Sequence, residues 1–171
     1  MADQEFTDAI ALLKADHRKV EALFEKYEGT GGAAAKKKLA HRICVELKIH
    51  TMLEEEIFYP AYRGKIEDDM LDEAYVEHDG AKVLINDIEA GSPEDDFYDA
   101  KVKVLSEETT HHVKEEEMRG EGMFAQCRKV EDVDLVALRD AMLARKKELV
   151  AQEESQGLPP AEPHAVKLQP A

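Results

Sequence analysis

The stretch His50 to Pro60, HTMLEEEIFYP, narrows the fold most, because a histidine and a glutamate four residues apart stand in the inward stripe of an amphipathic helix. Residues i and i+4 lie one above the other on a helix face, so His50 and Glu54 can grip one ion. The stripe reads Leu39 or Ala40, Ile43, Leu47, His50, Glu54, Ile57, and the two polar residues occupy positions where core residues are expected. A carboxylate turned into a core is costly unless it is paired or bound to metal.

The device recurs in HHVKEEE, residues 111 to 117, where Tyr98, Val102, Leu105, Thr109, His112 and Glu116 form one stripe. His111 and Glu115 have the same spacing, but their stripe would contain Lys101 and Glu108, so the inward pair is read as His112 and Glu116. His111 then belongs to the surface or to a layer outside the site. Two more histidines sit in apolar stripes. His17 lies between Leu13 and Val20 in a run with Ile10, Phe24 and Tyr27, and His78 lies among Leu71, Ala74, Ala81, Ile85 and Ile88.

His17 and His50 are 33 residues apart and His78 and His112 are 34 apart, so a helix-loop-helix unit occurs twice. Short loops between helices of some twenty residues enforce antiparallel neighbours, and four mid-helix histidines then meet at one level. The expected fold is all-α: an antiparallel up-down-up-down four-helix bundle with an additional C-terminal helix and a mobile tail. Helices are predicted over about Phe6–Glu28 with Thr7 as N-cap, Ala33–Tyr59 stopping near Pro60, Glu67–Glu89, and from Pro93 with Ser92 as N-cap. Glycines in GTGG at 29–32 and in MRGEGMF interrupt the chain.

A fifth helix, Val133 to about Val150, carries Leu135, Leu138, Met142 and Leu149; it is expected to pack outside the bundle or in a homodimer contact. Residues 1–153 are read as one domain and 154–171 as a disordered, proline-rich tail whose His164 is no ligand. At 171 residues the chain suits a single core. With 38 acidic against 23 basic side chains, its net charge of −15 argues against nucleic acid and anionic membranes. Cys44 and Cys127 form no C-x-x-C pairing and are read as small buried hydrophobes in a reducing, cytoplasmic setting. MADQEF lacks the basic and apolar regions of a secretion signal.

Imidazoles and carboxylates without thiolates suit iron, manganese, zinc or nickel. Ferritin-like sites require two Glu-x-x-His motifs, and here only Glu108 to His111 has that spacing. KADH at 14 to 17, HTMLEEEIFYP at 50 to 60, VEH at 76 to 78 and HHVKEEE at 111 to 117 together resemble the hemerythrin-like, or HHE cation-binding, domains, over roughly Ile10 to Phe124. The resemblance implies a four-helix bundle holding two non-haem iron ions bridged by carboxylates, with His17, His50, Glu54, His78, His112 and Glu116 as ligands. Oxygen-carrying relatives have a further histidine one turn before the third-helix ligand and an aspartate in the last motif; Ala74 and Glu116 stand there in this chain. Water, an exogenous ligand or Tyr75 is expected to fill the gap. The implied function is binding or sensing of O2, NO, a related small oxidant or iron status, with output through a signalling partner or the fifth helix. A peroxide-decomposing or otherwise oxidant-detoxifying enzyme is the alternative.

Overall fold

The computed structural model describes residues 5–169, all of them in helices, turns or coil with no strand. Residues 1–4 and 170–171, on which the secretion-signal reading and the outer domain limits partly rest, lie outside the described residues. Four of the five long helices are α1 (Ala9–Glu28), α2 (Ala33–Leu53), α4 (Asp68–Ala90) and α5 (Tyr98–Glu117). Helix α1 packs on α2 and α5, and α4 packs on the same two, which closes a ring around a central axis.

Two apolar clusters fill that axis. One contains Ile10, Leu13, Leu53, Phe58, Leu71 and Phe124. The other contains Val20, Phe24, Ile43, Leu47, Ile85 and Leu105. The inward histidines fall between the two, in sequence as in space. Cys44 and Cys127 are free and buried, and burial pushes both thiols up to about 12, so neither is a ready thiolate.

Three boundaries among the first four predicted helices differ from those expected, and the fifth helix runs on to Gln156 rather than Val150. Helix α1 is capped by Asp8 rather than Thr7, because the Asp8 carboxylate accepts from Ala11 N–H at 2.8 Å and is held by Arg128 at 2.8 Å. Helix α5 starts at Tyr98 instead of Pro93. Asp95 closes a turn by accepting from Ser92 N–H at 2.7 Å while its own N–H donates to the Ser92 carbonyl at 2.9 Å. Phe97 then takes a left-handed φ of 66°, which no helix continues through.

The third difference shapes the centre. Helix α2 does not stop near Pro60; after Leu53 it widens into a π-helical turn, Glu54–Phe58, and continues as the short α3, Tyr59–Tyr62. Proline lacks an N–H and its ring clashes with the carbonyl four residues earlier in a regular α-helix. The wide turn relieves this, with the Tyr59 N–H reaching back to the Glu54 carbonyl.

Beyond α5, the short α6 (Met123–Cys127) closes one end, and α7 (Leu135–Gln156) lies along α1, α2 and the π turn with Met142 and Leu149 buried. Arg145 pairs with Glu56 at 2.7 Å and Lys146 with Asp16, fixing α7 to the bundle. Within the stretch expected to be mobile, residues 161–166 lie against α4. Ala161, His164, Ala165 and Val166 are held there through their main chain, which composition does not reveal. No helix among the described residues is long and apolar enough to cross a membrane.

Ile85 is fully buried in the second cluster. Ile85→Ala is expected to lower the unfolding free energy by about 2–5 kcal/mol in denaturant titration. A loss below about 1 kcal/mol would mean that this cluster carries little of the fold.

Candidate metal centre

The six predicted residues come together, all buried: His17 from α1, His50 from α2, Glu54 from the π turn, His78 from α4, and His112 and Glu116 from α5. The imidazoles meet in pairs through their inner nitrogens, with 3.2 Å between His17 Nε2 and His50 Nε2 and 3.2 Å between His78 Nε2 and His112 Nε2. Two carboxylates lie between the pairs. Glu54 Oε2 is 3.3 Å from His50 Nε2 and 3.2 Å from His78 Nε2. Glu116 reaches His17 Nε2 at 3.3 Å with Oε2 and His112 Nε2 at 3.5 Å with Oε1. Two groupings with cation-ligating geometry result: His17, His50, Glu54 and Glu116, and Glu54, His78 and His112.

The outer nitrogens explain why the inner ones face each other. His17 Nδ1 is 2.7 Å from Glu117, His78 Nδ1 is 2.9 Å from Glu55, and His112 Nδ1 is 2.6 Å from Glu77. A carboxylate only accepts, so each of these Nδ1 atoms carries the proton and the Nε2 lone pair points inward. His50 Nδ1 has Asp16 at 3.8 Å, an ion-pair distance that is too long for a hydrogen bond.

These outer acids follow one rule. The residue before the first histidine of each unit, Asp16 or Glu77, serves the second histidine of that unit. The residue after each inward glutamate, Glu55 or Glu117, serves the first histidine of the other unit. Sequence reasoning passed over all four, although KADH, VEH and the two EEE triplets spell them out.

Tyr59 was missed for a different reason. At 3.6 residues per turn, residues five apart lie about 140° apart around an α-helix, so Tyr59 should face away from Glu54. The π turn brings it round. Its hydroxyl sits 3.1 Å from Glu54 Oε2, 2.9 Å from Glu116 Oε1 and 3.3 Å from His78 Nε2. Tyr75, expected near the gap, is displaced from it: its hydroxyl reaches the Glu55 carbonyl at 3.4 Å and its ring stacks on His164. His111 is exposed and pairs with Glu115 at 3.2 Å, as its stripe implied.

Several polar atoms at the centre have no partner: Glu54 Oε1, Glu116 Oε2 and His50 Nδ1 are buried without hydrogen bonds. Such atoms are rare, and here four lone pairs and two carboxylates converge on the same place. Bound cations would satisfy that arrangement. Without them protons must do so. Burial acts against a charged His50, but the Glu54 charge and Asp16 outweigh it and push its pKa up to about 10. Burial likewise opposes charge on His17 and His112, yet Glu116 raises both. Burial and the Glu54 charge resist ionisation of Glu116, but His112 and His17 draw its pKa down to about 2.

Two spaces reach the centre. A cavity of about 30 Å³ lies on the side of Val20, Leu47 and Ala81, against all four histidines. An acidic groove of about 700 Å³, lined by Glu73, Glu77 and Glu121 among others, opens onto His112 and Glu116 from the surface.

The family description "Hemerythrin HHE cation binding domain" matches residues 8–124. The chain is similar to a hemerythrin HHE cation binding domain-containing protein from Mycobacterium kansasii, whose crystal structure overlays with a TM-score of 0.70 at 18% identity, covering 90% of this chain and 96% of that one. It is also 28% identical over 106 residues to a DNA nickase from Nostoc sp., a match that takes in 62% of this chain but only 30% of the nickase.

In metal-free protein, His50 should add stability that is complete below its unfolded pKa of 6.5 and lost as pH rises towards about 10. Glu116 should add stability that is complete above 4.5 and lost as pH falls towards about 2. The melting temperature is therefore expected to peak between those windows and to fall from pH 6.5 to 10. Metal displaces the protons, so metal affinity should rise over the same range. A metal-free melting temperature that stays flat there would contradict this account of the centre.

Proposed function

The chain belongs to the hemerythrin HHE cation binding domain family, and on that premise we propose that its centre holds two carboxylate-bridged iron ions at which a small oxidant such as O2 or NO is bound or sensed. The observation that carries this reading is the convergence of four imidazole Nε2 atoms, three of them backed by a carboxylate on Nδ1, upon two buried glutamates. One ion would lie with His17 and His50 and the other with His78 and His112, with Glu54 and Glu116 shared between them. A nitrogen and oxygen donor set without thiolate suits iron. Bound iron supplies redox electrons and coordination positions open to a small ligand. The cavity beside the histidines has the volume of about one water molecule, which favours a diatomic over an organic substrate.

Peroxide decomposition is the second reading, and Tyr59 favours it. Its hydroxyl lies within donating distance of both inward glutamates, nearer to Glu116, and burial and the two carboxylate charges hold its pKa well above the ordinary tyrosine value. It therefore keeps a proton at the centre, where cleavage of an O–O bond requires one. The acidic groove gives peroxide a route to Glu116. The nickase's name describes a protein of which this chain spans about a third, and no strand-cutting activity is proposed for this chain.

Elemental analysis is expected to find two irons per chain in the iron-loaded protein and little in Glu54→Ala or His50→Ala. Loading at about a hundredfold excess over Kd should add about 2.7 kcal/mol of stability. A metal-free form as stable as the loaded one would sink the metal reading. Rapid oxygen evolution from peroxide, reduced about 100-fold in Tyr59→Phe with iron content unchanged, would select the enzyme. A spectral change with O2 or NO and no turnover would select binding or sensing.

A further inference from the structure

The contacts made by residues 157–169 lead to the centre. Asp79 is completely buried on α4, next to His78. Its Oδ1 accepts the His164 N–H at 2.7 Å, and its Oδ2 accepts the N–H groups of Ala165 and Val166 at 2.7 Å each. Two turns further along α4, Asn86 pairs with both main-chain groups of Ala161 at 2.8 Å. The His164 ring stacks on Tyr75 with centroids 4.2 Å apart.

Beneath this segment lies one buried ammonium between two carboxylates. Lys82 Nζ is 2.8 Å from each oxygen of Glu55 and 3.3 Å from Asp79 Oδ1. Glu55 Oε1 is the acceptor that orients His78 through Nδ1 at 2.9 Å. The two carboxylates therefore compete for Lys82. Three peptide N–H groups neutralise Asp79, and this leaves the ammonium seated on Glu55.

We propose that residues 161–166 form a strap that positions His78: seated, it satisfies Asp79 and leaves Lys82 on Glu55; released, it leaves a buried carboxylate that draws Lys82 away and loosens the His78 anchor. Asp79 and Lys82 are then positioning residues, acting through Glu55. The strap lies outside residues 8–124, so it adds to the matched family stretch. The inference rests on His78 serving as a metal ligand, but its first test does not require metal.

Proline at 165 and 166 deletes two of the three donors without touching α4. In metal-free full-length protein with isotope-labelled histidine, Ala165→Pro with Val166→Pro is expected to abolish the hydrogen-bonded Nδ1 signal of His78. In iron-loaded protein it should speed iron release to a chelator about tenfold. Adding Asp79→Asn should restore both readouts, because a neutral amide has no comparable claim on the ammonium. A merely structural strap predicts no such rescue. Asn86→Ala, which loosens the strap at Ala161, should shift both readouts in the same direction by less. An unchanged His78 signal in the proline variant, or failure of Asp79→Asn to restore it, overturns the proposal. If the wild type binds no iron, the metal reading falls alone, and the His78 signal still decides whether the strap acts.

Discussion

Four imidazole lone pairs facing two buried carboxylates is an arrangement that no packed core tolerates unless positive charge lies among them. The rest of the fold is organised around that requirement. Apolar clusters above and below bury the centre on two sides, which raises the cost of leaving it uncompensated. The same exclusion of water strengthens every interaction inside. The outer acids then keep three of the imidazoles turned so that the lone pair faces inward, at 2.6 Å for His112, 2.7 Å for His17 and 2.9 Å for His78.

Helix existence and the inward stripes could be read because they depend on local periodicity. The preference for His112 over His111 followed from asking which stripe contained Lys101 and Glu108, and the structure leaves His111 exposed. What escaped was of another kind. Tyr59 reaches the centre only because Pro60 forces a wide turn, a change of phase that a fixed 3.6-residue period cannot represent. The Phe97 boundary depends on a side chain closing a turn in an acidic run that otherwise looks like a good first helical turn. The strap is held by peptide N–H groups, which every residue but proline possesses, so composition carried no trace of it.

The two helix-loop-helix units place their histidines, inward glutamates and outer acids by one rule, yet the halves are not equivalent. Tyr59 has no counterpart five residues beyond Glu116, where Glu121 lines the groove instead. The hydroxyl bonds to both glutamates but lies close to His78 and His112 only. The His78 and His112 side thus has a phenol and an open groove beside it, whereas the His17 and His50 side has the Phe124 ring stacked against His17. The groove reaches the first of these sides from the surface.

That asymmetry extends outward to the cations that hold the outer acids. Glu117 is shared by His17 and the exposed Arg18, and Asp16 is held by Lys146 of α7. Glu55 is held by Lys82, which is 4% exposed and has a second carboxylate within 3.3 Å. An exposed arginine loses little when its partner moves, because water replaces the bond. A buried ammonium cannot be left unpaired and must choose between the carboxylates within reach. Among these three supports, only the one behind His78 therefore rests on a buried cation with two carboxylates within reach, and it backs the same half of the centre that opens to the groove.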